Sequence, residues 1–313
     1  MAIRIGFFGS GFIAGVHRRN LDDDPRATVT AVYDPLREID SGLAAQSPEE
    51  LLERSDAVYI ASPNRTHADY ALSALAAGKH IFCQKPMAVT SEEARRIHQA
   101  ARASKRVFQV GHNRRLAPVY KRVRGLLESH PPHCVHARMN RGELLRPAWT
   151  GDEQVTGGFL YETPIHMFDM LRFQFGEPAW IEARLSRKDD FSALIGFESG
   201  LHATLTTSAD ASWFFPFERL EVFGEYLTIE TAEMESLSWR QGLDSPTLSE
   251  HYGGLPLEQK WGFAEGDRRF LDAILDGVAP PADSLDGLRS VEMAEACYLS
   301  AREGRAVDLA PRG

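Results

Sequence analysis

The chain has 313 residues, 43% hydrophobic and 25% charged, with 35 Lys plus Arg against 44 Asp plus Glu for a net charge of −9. That make-up suits a globular protein of about two domains and excludes a disordered chain, while the acidic balance argues against a nucleic-acid partner. No stretch approaches the roughly 18 apolar residues of a membrane span. The opening MAIRIGFFGSGFIAG carries no secretory pattern, and Cys83, Cys134 and Cys297 have neither disulfide-framework nor metal spacing, so the expectations are a reducing cytoplasm, no membrane and no metal.

The first part of the chain alternates short apolar runs with helical patterns. The runs Ile3–Phe8, Thr28–Tyr33, Ala57–Ala61, His80–Cys83 and Val107–Val110 show little polar alternation, as parallel strands buried on both faces do. Ser47-Pro48-Glu49-Glu50 and Thr90-Ser91-Glu92-Glu93 are helix-start signals, the second opening a helix to about Ala103. This is the grammar of a doubly wound α/β sheet. Between Asp34 and Ala57 there is space for one clear helix and a short Leu43–Ala45 run, so an edge strand or its crossover is reduced there.

After about residue 118 the pattern changes. Tyr120–Leu127 and Pro164–Phe175 read as helices. Cys134–Arg141, Trp180–Ser186, Ser192–Glu198, Leu201–Ser208, Phe217–Phe223, Tyr226–Glu230 and Ser236–Arg240 read as strands, several with the period-2 alternation of an antiparallel sheet covered on one face. Glu198-Ser199-Gly200 is a hairpin turn, and helices over Gly266–Asp276 and Ser284–Arg302 close the chain. The expected organisation is a Rossmann-type domain over 1–118 and an α+β domain with an open, mainly antiparallel sheet over 119–313.

Gly9-Ser10-Gly11-Phe12-Ile13-Ala14 follows the first strand and opens a helix, which is the placement of a dinucleotide fingerprint. Gly9 makes the turn, Gly11 lets backbone approach a diphosphate, and the helix start receives it. Asp34 ends the second strand, where a carboxylate accepts ribose hydroxyls and repels a 2′-phosphate; this favours NAD, although Arg37 leaves NADP open. A glycine turn without ligand is the bland alternative. Ligands of such sheets bind beyond the strands' carboxyl ends. The loops there hold Ser62-Pro63-Asn64-Arg65-Thr66-His67, Gln84-Lys85-Pro86 and Gly111-His112-Asn113-Arg114-Arg115. Lys85, leaving a buried strand beside a cationic nicotinamide, should have a lowered pKa suited to proton exchange with a substrate hydroxyl; otherwise it is a surface lysine in a turn. His67 is equally readable as a capping or core histidine.

Gly157–Asp169 joins a diglycine to a helix, with Thr163 as N-cap and Pro164 as first helical residue. His166 then sits in the first turn, Asp169 is placed to orient it, and Glu162 lies just before the cap. A capped helix with a satisfied His–Asp pair is the bland alternative.

Together these blocks resemble the Gfo/Idh/MocA family, named for glucose–fructose oxidoreductase and inositol dehydrogenase. The resemblance spans the chain and implies NAD(P)-dependent oxidation or reduction of sugars, cyclitols and related polyols by a homodimer or homotetramer. It implies Lys85 as catalytic acid/base, His166 as the second-domain catalytic histidine and Glu162 as its acidic partner. It also implies that Gln84 and Asn113 approach the cofactor and that Arg114 and Trp149 line the substrate cleft. Two positions depart from the family pattern. Gln84 replaces a glutamate, which removes a negative charge beside Lys85, and Glu162-Thr163-Pro164 stands where Asp and a small residue are usual. An NAD-dependent glycoside hydrolase or lyase working by transient oxidation, and a non-catalytic NAD-binding sensor or scaffold, are the alternative readings of the same features.

Overall fold

The structure, a computed structural model, describes residues 2–40, 42–140, 149–187, 189–211 and 215–309. Contacts group the chain into two compact units. The first comprises Met1–Asn113, Glu153–Gly157 and Gly262–Val291, and the second Arg114–Asp152, Gly158–Trp261 and Glu292–Gly313. The single boundary expected at 118/119 therefore does not describe the packing, because two later segments return to the first unit.

In the first unit, strands β1 (Ile3–Phe8), β2 (Ala27–Tyr33), β3 (Ala57–Ile60), β4 (His80–Cys83) and β5 (Phe108–Val110) form a parallel sheet in the order β2-β1-β3-β4-β5. Helices α1 (Phe12–Asp22), α2 (Pro48–Glu53), α3 (His67–Ala76) and α4 (Ser91–Ser104) connect them. The N-cap half of both anticipated capping boxes forms: the Ser47 and Thr90 side chains accept from the backbone N–H of Glu50 and Glu93, while Glu50 itself accepts from Gln46 N–H. The trimmed unit after β2 is real. Its edge strand shrinks to one parallel bridge, Val32 to Ala44, with Val32 N–H on Leu43 and Ala45 N–H on Val32. Ile5, Phe7, Tyr59 and Phe82 make the core, and Phe270 and Leu271 complete it. That packing explains the return of Phe263–Asp276. Its apolar stripe covers a sheet face that would otherwise lie bare.

In the second unit, α5 (Pro118–Leu127) precedes β6 (Pro132–Met139), and short helices α6 (Glu153–Thr156, packed in the first unit) and α7 (Phe159–Glu162) lead to α8 (Ile165–Phe175). The run expected over Cys134–Arg141 ends at Met139, and Arg141 lies outside the described residues. Strands β7 (Pro178–Arg187), β8 (Asp190–Phe197), β9 (His202–Ser208), β10 (Glu218–Gly224), β11 (Leu227–Ala232), β12 (Ser236–Gln241), β13 (Leu248–His251) and β14 (Val307–Asp308) follow. With β6 they make a nine-stranded sheet among the described residues, ordered β13-β12-β11-β10-β6-β9-β8-β7-β14. Every pairing is antiparallel except β6 with β9. The β8–β9 hairpin turns at Gly200, whose φ of +87° a residue with a Cβ rarely adopts. Along β8 and β9 buried and exposed residues alternate, as the sequence indicates, so one face is covered, while α8 is buried almost throughout. Helices α9 (Leu257–Lys260), α10 (Phe263–Asp276) and α11 (Ser284–Glu303) lie between β13 and β14.

Candidate active site

The first unit gathers its polar loops at the carboxyl ends of its strands. Gly9 has φ +96°, and a Cβ there would stand 2.6 Å from the Ala61 carbonyl oxygen, so only glycine lets the loop after β1 lie against the loop after β3. His67, at the start of α3, directs Nε2 at the Ser62 carbonyl (2.8 Å) and Nδ1 at the Pro86 carbonyl (2.7 Å), joining the β3 loop to the β4 loop. Gly111 N–H donates to the Cys83 carbonyl at 2.8 Å, joining the β5 loop to the β4 loop. The convergence expected of these loops is therefore built by backbone contacts and one buried imidazole.

Over this rim, α1 begins at Gly11 with no side chain capping it and no acidic residue in its first turn. The N–H groups of a first helical turn lack intrahelical acceptors. No atom lies within 4 Å of a Cβ placed on Gly11, so the approach to Phe12 and Ile13 is open. Asp34 is fixed at the edge of this turn. Its Oδ2 accepts from Ser10 N–H (2.9 Å) and Ser10 Oγ (2.7 Å), and its Oδ1 accepts from Leu36 N–H (3.0 Å). Arg37 reaches the Ser10 carbonyl at 3.5 Å. An uncapped helix start, open space at the second glycine and an anchored carboxylate fit a dinucleotide with free ribose hydroxyls.

The remaining residues assigned to the cofactor divide. Pro63 precedes the turn Asn64–Thr66, and Ser62 Oγ pairs with Thr66 Oγ1 at 2.7 Å. Asn64 directs its amide at the Thr156 carbonyl (3.1 Å), so it braces the 153–157 segment. His67 is 1% exposed with both ring nitrogens on main-chain carbonyls, so it corrects the expectation of a cofactor ligand: it is a loop brace. Burial holds its pKa below the ordinary imidazole value, with the Lys85 charge adding to the effect; the two carbonyls oppose this and are outweighed. Gln84 and Asn113 are buried, and Lys85 is half-buried between Gln84 and a cis Pro86.

In the second unit, Glu162 ends α7 and His166 lies in the first turn of α8, both buried. Thr163 does not cap α8 as expected. It has helical φ and ψ as the last residue of the α7 turn, and no side-chain cap forms, because an N-cap needs extended backbone. Tyr298 Oη accepts from Leu160 N–H at 3.1 Å and lies 2.6 Å from where a Gly158 Cβ would stand, so the diglycine admits the ring that supports α7. Asp169, expected to orient His166, takes the Arg115 guanidinium on both oxygens at 2.9 and 2.5 Å, with both partners buried. Arg114, expected at the substrate, instead donates Nε to Glu218 at 2.8 Å and stacks on Trp261; Tyr120 donates to the other Glu218 oxygen. A buried guanidinium needs such a partner. Trp149 sits half-buried in a turn closed by Asp152 N–H.

Sequence reasoning gave no role to Arg115, Glu218, Tyr298, His17 or Asp267. His17 and Asp267 are 250 residues apart, and neither lies in a local pattern that marks the pair. Among the described residues no group of three or more His, Cys, Asp or Glu could hold a metal ion, and no helix is long and apolar enough to cross a membrane.

A parallel doubly wound sheet with this rim defines the class of NAD-binding Rossmann oxidoreductases. The profile described as "Oxidoreductase family, NAD-binding Rossmann fold" matches residues 3–112, and its companion, the C-terminal alpha/beta domain, matches residues 130–309. The chain belongs to this Gfo/Idh/MocA oxidoreductase family. It is 26% identical to inositol 2-dehydrogenase of Rhizobium meliloti over 99% of this chain and 100% of that protein. It is 24% identical to myo-inositol 2-dehydrogenase of Thermotoga maritima over 98% of each. Among solved structures, levoglucosan dehydrogenase in complex with NADH and levoglucosan aligns with a TM-score of 0.87 at 20% identity, covering 99% of this chain and 100% of that one. GenD2 from gentamicin A biosynthesis, in complex with NAD, aligns with a TM-score of 0.81 at 22% identity, covering 99% and 97%.

Proposed function

We propose that the protein is an NAD-dependent dehydrogenase or reductase acting on a hydroxyl-bearing carbon of a sugar, cyclitol or related polyol. The observation that carries this is the rim of the first unit, where an open, uncapped helix start, a pinned Asp34 carboxylate and Lys85 occupy the carboxyl ends of one parallel sheet. Relatives named inositol 2-dehydrogenase and a structural neighbour titled levoglucosan dehydrogenase support the substrate class.

When bound, NAD supplies the hydride acceptor or donor. The backbone at Gly11, Phe12 and Ile13 receives the diphosphate, and Ser10, whose N–H and hydroxyl are held by Asp34, borders it. Asp34 accepts ribose hydroxyls and disfavours a 2′-phosphate. Gly9 shapes the turn, and Ser62, Pro63, Gln84 and Asn113 line the same rim. Lys85 exchanges the proton of the reacting hydroxyl as its carbon changes oxidation state. In the second unit, the family resemblance assigns His166 to holding or relaying a proton, Glu162 to a substrate hydroxyl and Trp149 to an aromatic contact with the substrate. Asp169 acts through Arg115, keeping the buried face of α8 in place. Assembly as a homodimer or homotetramer in a reducing compartment goes with this reading.

Lys85→Met tests the assignment. Turnover of a responsive polyol falls by about 10²- to 10⁴-fold, the usual contribution of a positioned acid/base, while NADH affinity stays nearly constant. Turnover that survives the substitution overturns the role of Lys85.

A further inference from the structure

Gln84, the residue before Lys85, is held from inside the first unit by groups that the redox reading does not use. Its Nε2 lies 2.6 Å from His17 Nε2. His17 Nδ1 lies 2.7 Å from Asp267 Oδ1, and Asn20 Nδ2 donates to the other Asp267 oxygen at 2.7 Å. A carboxylate only accepts, so the imidazole proton belongs on Nδ1. Nε2 then presents a lone pair, which an amide N–H of Gln84 satisfies and a carboxylate oxygen could not.

The chain is enclosed. His17 is 1% exposed, Asp267 2% and Gln84 9%. Tyr59, Phe82 and Phe263 set their rings 5.3, 4.9 and 5.8 Å from the His17 ring and prevent it from turning. On the far side, the carboxamide lies on Gly111. A Cβ there would stand 2.9 Å from Gln84 Oε1 and 3.0 Å from its Cδ, so the glycine is required for space. The titratable groups facing the relay are Asp267 on α10 and Tyr59 on β3, whose hydroxyl stays protonated through burial and the Asp267 charge; His67 on α3 faces Lys85.

We propose that His17 and Asp267 are positioning residues for Lys85: an Asp267–His17–Gln84 relay, with the imidazole proton on Nδ1, clamps the Gln84 carboxamide against Gly111 and so fixes an uncharged group one residue before Lys85. This rests on the reading of Lys85 as the proton-exchanging group. A glutamate at position 84 would meet the Nε2 lone pair, draw a second proton onto the ring and set a negative charge beside Lys85 that favours the ammonium. Gln84 therefore lets the amine lose its proton more readily in this chain.

Two measurements that need no substrate decide the matter. In the full chain labelled with ¹⁵N-histidine, with and without NADH, the His17 signals (assigned by their loss in His17→Gln) are expected to show a protonated Nδ1 and a bare Nε2 at about pH 8, where an imidazole is ordinarily neutral. In Gln84→Glu, which is isosteric, both nitrogens carry protons. Competitive labelling with acetic anhydride, read by peptide mass spectrometry, then reports Lys85 directly. Its half-labelling point rises by about one pH unit in Gln84→Glu, a tenfold change in proton affinity. A wild-type proton on Nε2, or on both nitrogens, overturns the relay, as does Lys85 labelling that Gln84→Glu leaves unmoved. The wild-type tautomer is read without any substitution. Should Lys85→Met retain turnover, the proton-exchange reading fails, while the tautomer still reports on the relay.

Discussion

Asp34 connects cofactor choice to the glycine turn through a single side chain. Three hydrogen bonds from Ser10 and Leu36 fix its carboxylate, so its orientation at the rim is set before any ligand arrives. Charge-assisted hydrogen bonds contribute about 1.5–3 kcal/mol each. Asp34→Ser should therefore weaken NADH binding by roughly tenfold or more and admit NADPH, with Arg37 free to meet its 2′-phosphate. Titration of both cofactors checks this, and an unchanged preference would remove Asp34 from the ribose site. A pH effect follows from His67. Its folded pKa lies below the ordinary 6.5, chiefly through burial, and His80 is lowered by burial too. The unfolded chain thus takes protons first as pH falls, so this stability is complete above about pH 6.5 and declines as pH falls toward the folded values. Urea midpoints should drop between about pH 7.5 and 5.5, with a smaller drop in His67→Gln; a flat profile would contradict the sign. At this scale the glycine turn, Asp34 and Lys85 were legible because each sits at a fixed offset from a strand end. His17, Asp267 and Arg115 were not, because their partners come from distant segments and leave no local spacing to read.

The elements follow the same logic. Strands β3, β4 and β5 and most of β1 read directly as continuous apolar runs because both faces are buried, and β8 and β9 read by alternation because one face is exposed. The short edge strands β13 and β14, of four and two residues, carry too little pattern to find. Thr163 misled because a cap signal says nothing about the backbone that the preceding turn imposes. Helix α10 was foreseen as a helix but not as part of the first unit's core, since its stripe fits any apolar face. Phe270 is fully buried and stands edge-on to Tyr59 and Phe82 at 5.4 and 5.6 Å. Phe270→Ala should cost about 3–5 kcal/mol, read from denaturant unfolding; a loss under about 1 kcal/mol would mean that α10 is peripheral. Asp169→Ala leaves the Arg115 guanidinium buried without its carboxylate and should cost about 3–5 kcal/mol. A variant of wild-type stability with abolished turnover would instead return Asp169 to the chemistry.

For the whole molecule, family membership and the NAD-binding fold are established, and what remains is the reaction. The resemblance also carries an expectation of a homodimer or homotetramer, which sedimentation of the purified chain reads directly, a lone protomer contradicting it. The central claim is tested by one assay: purified wild type and Lys85→Met with NAD and a panel opening on myo-inositol and levoglucosan, followed at the near-ultraviolet band of reduced nicotinamide. Reduced cofactor should accumulate with at least one polyol in the wild type and fail to do so in Lys85→Met, which still binds NADH. A wild-type protein that binds NADH yet reduces no NAD across the panel, or that cleaves a glycoside with no net reduced cofactor, would contradict a net polyol dehydrogenase.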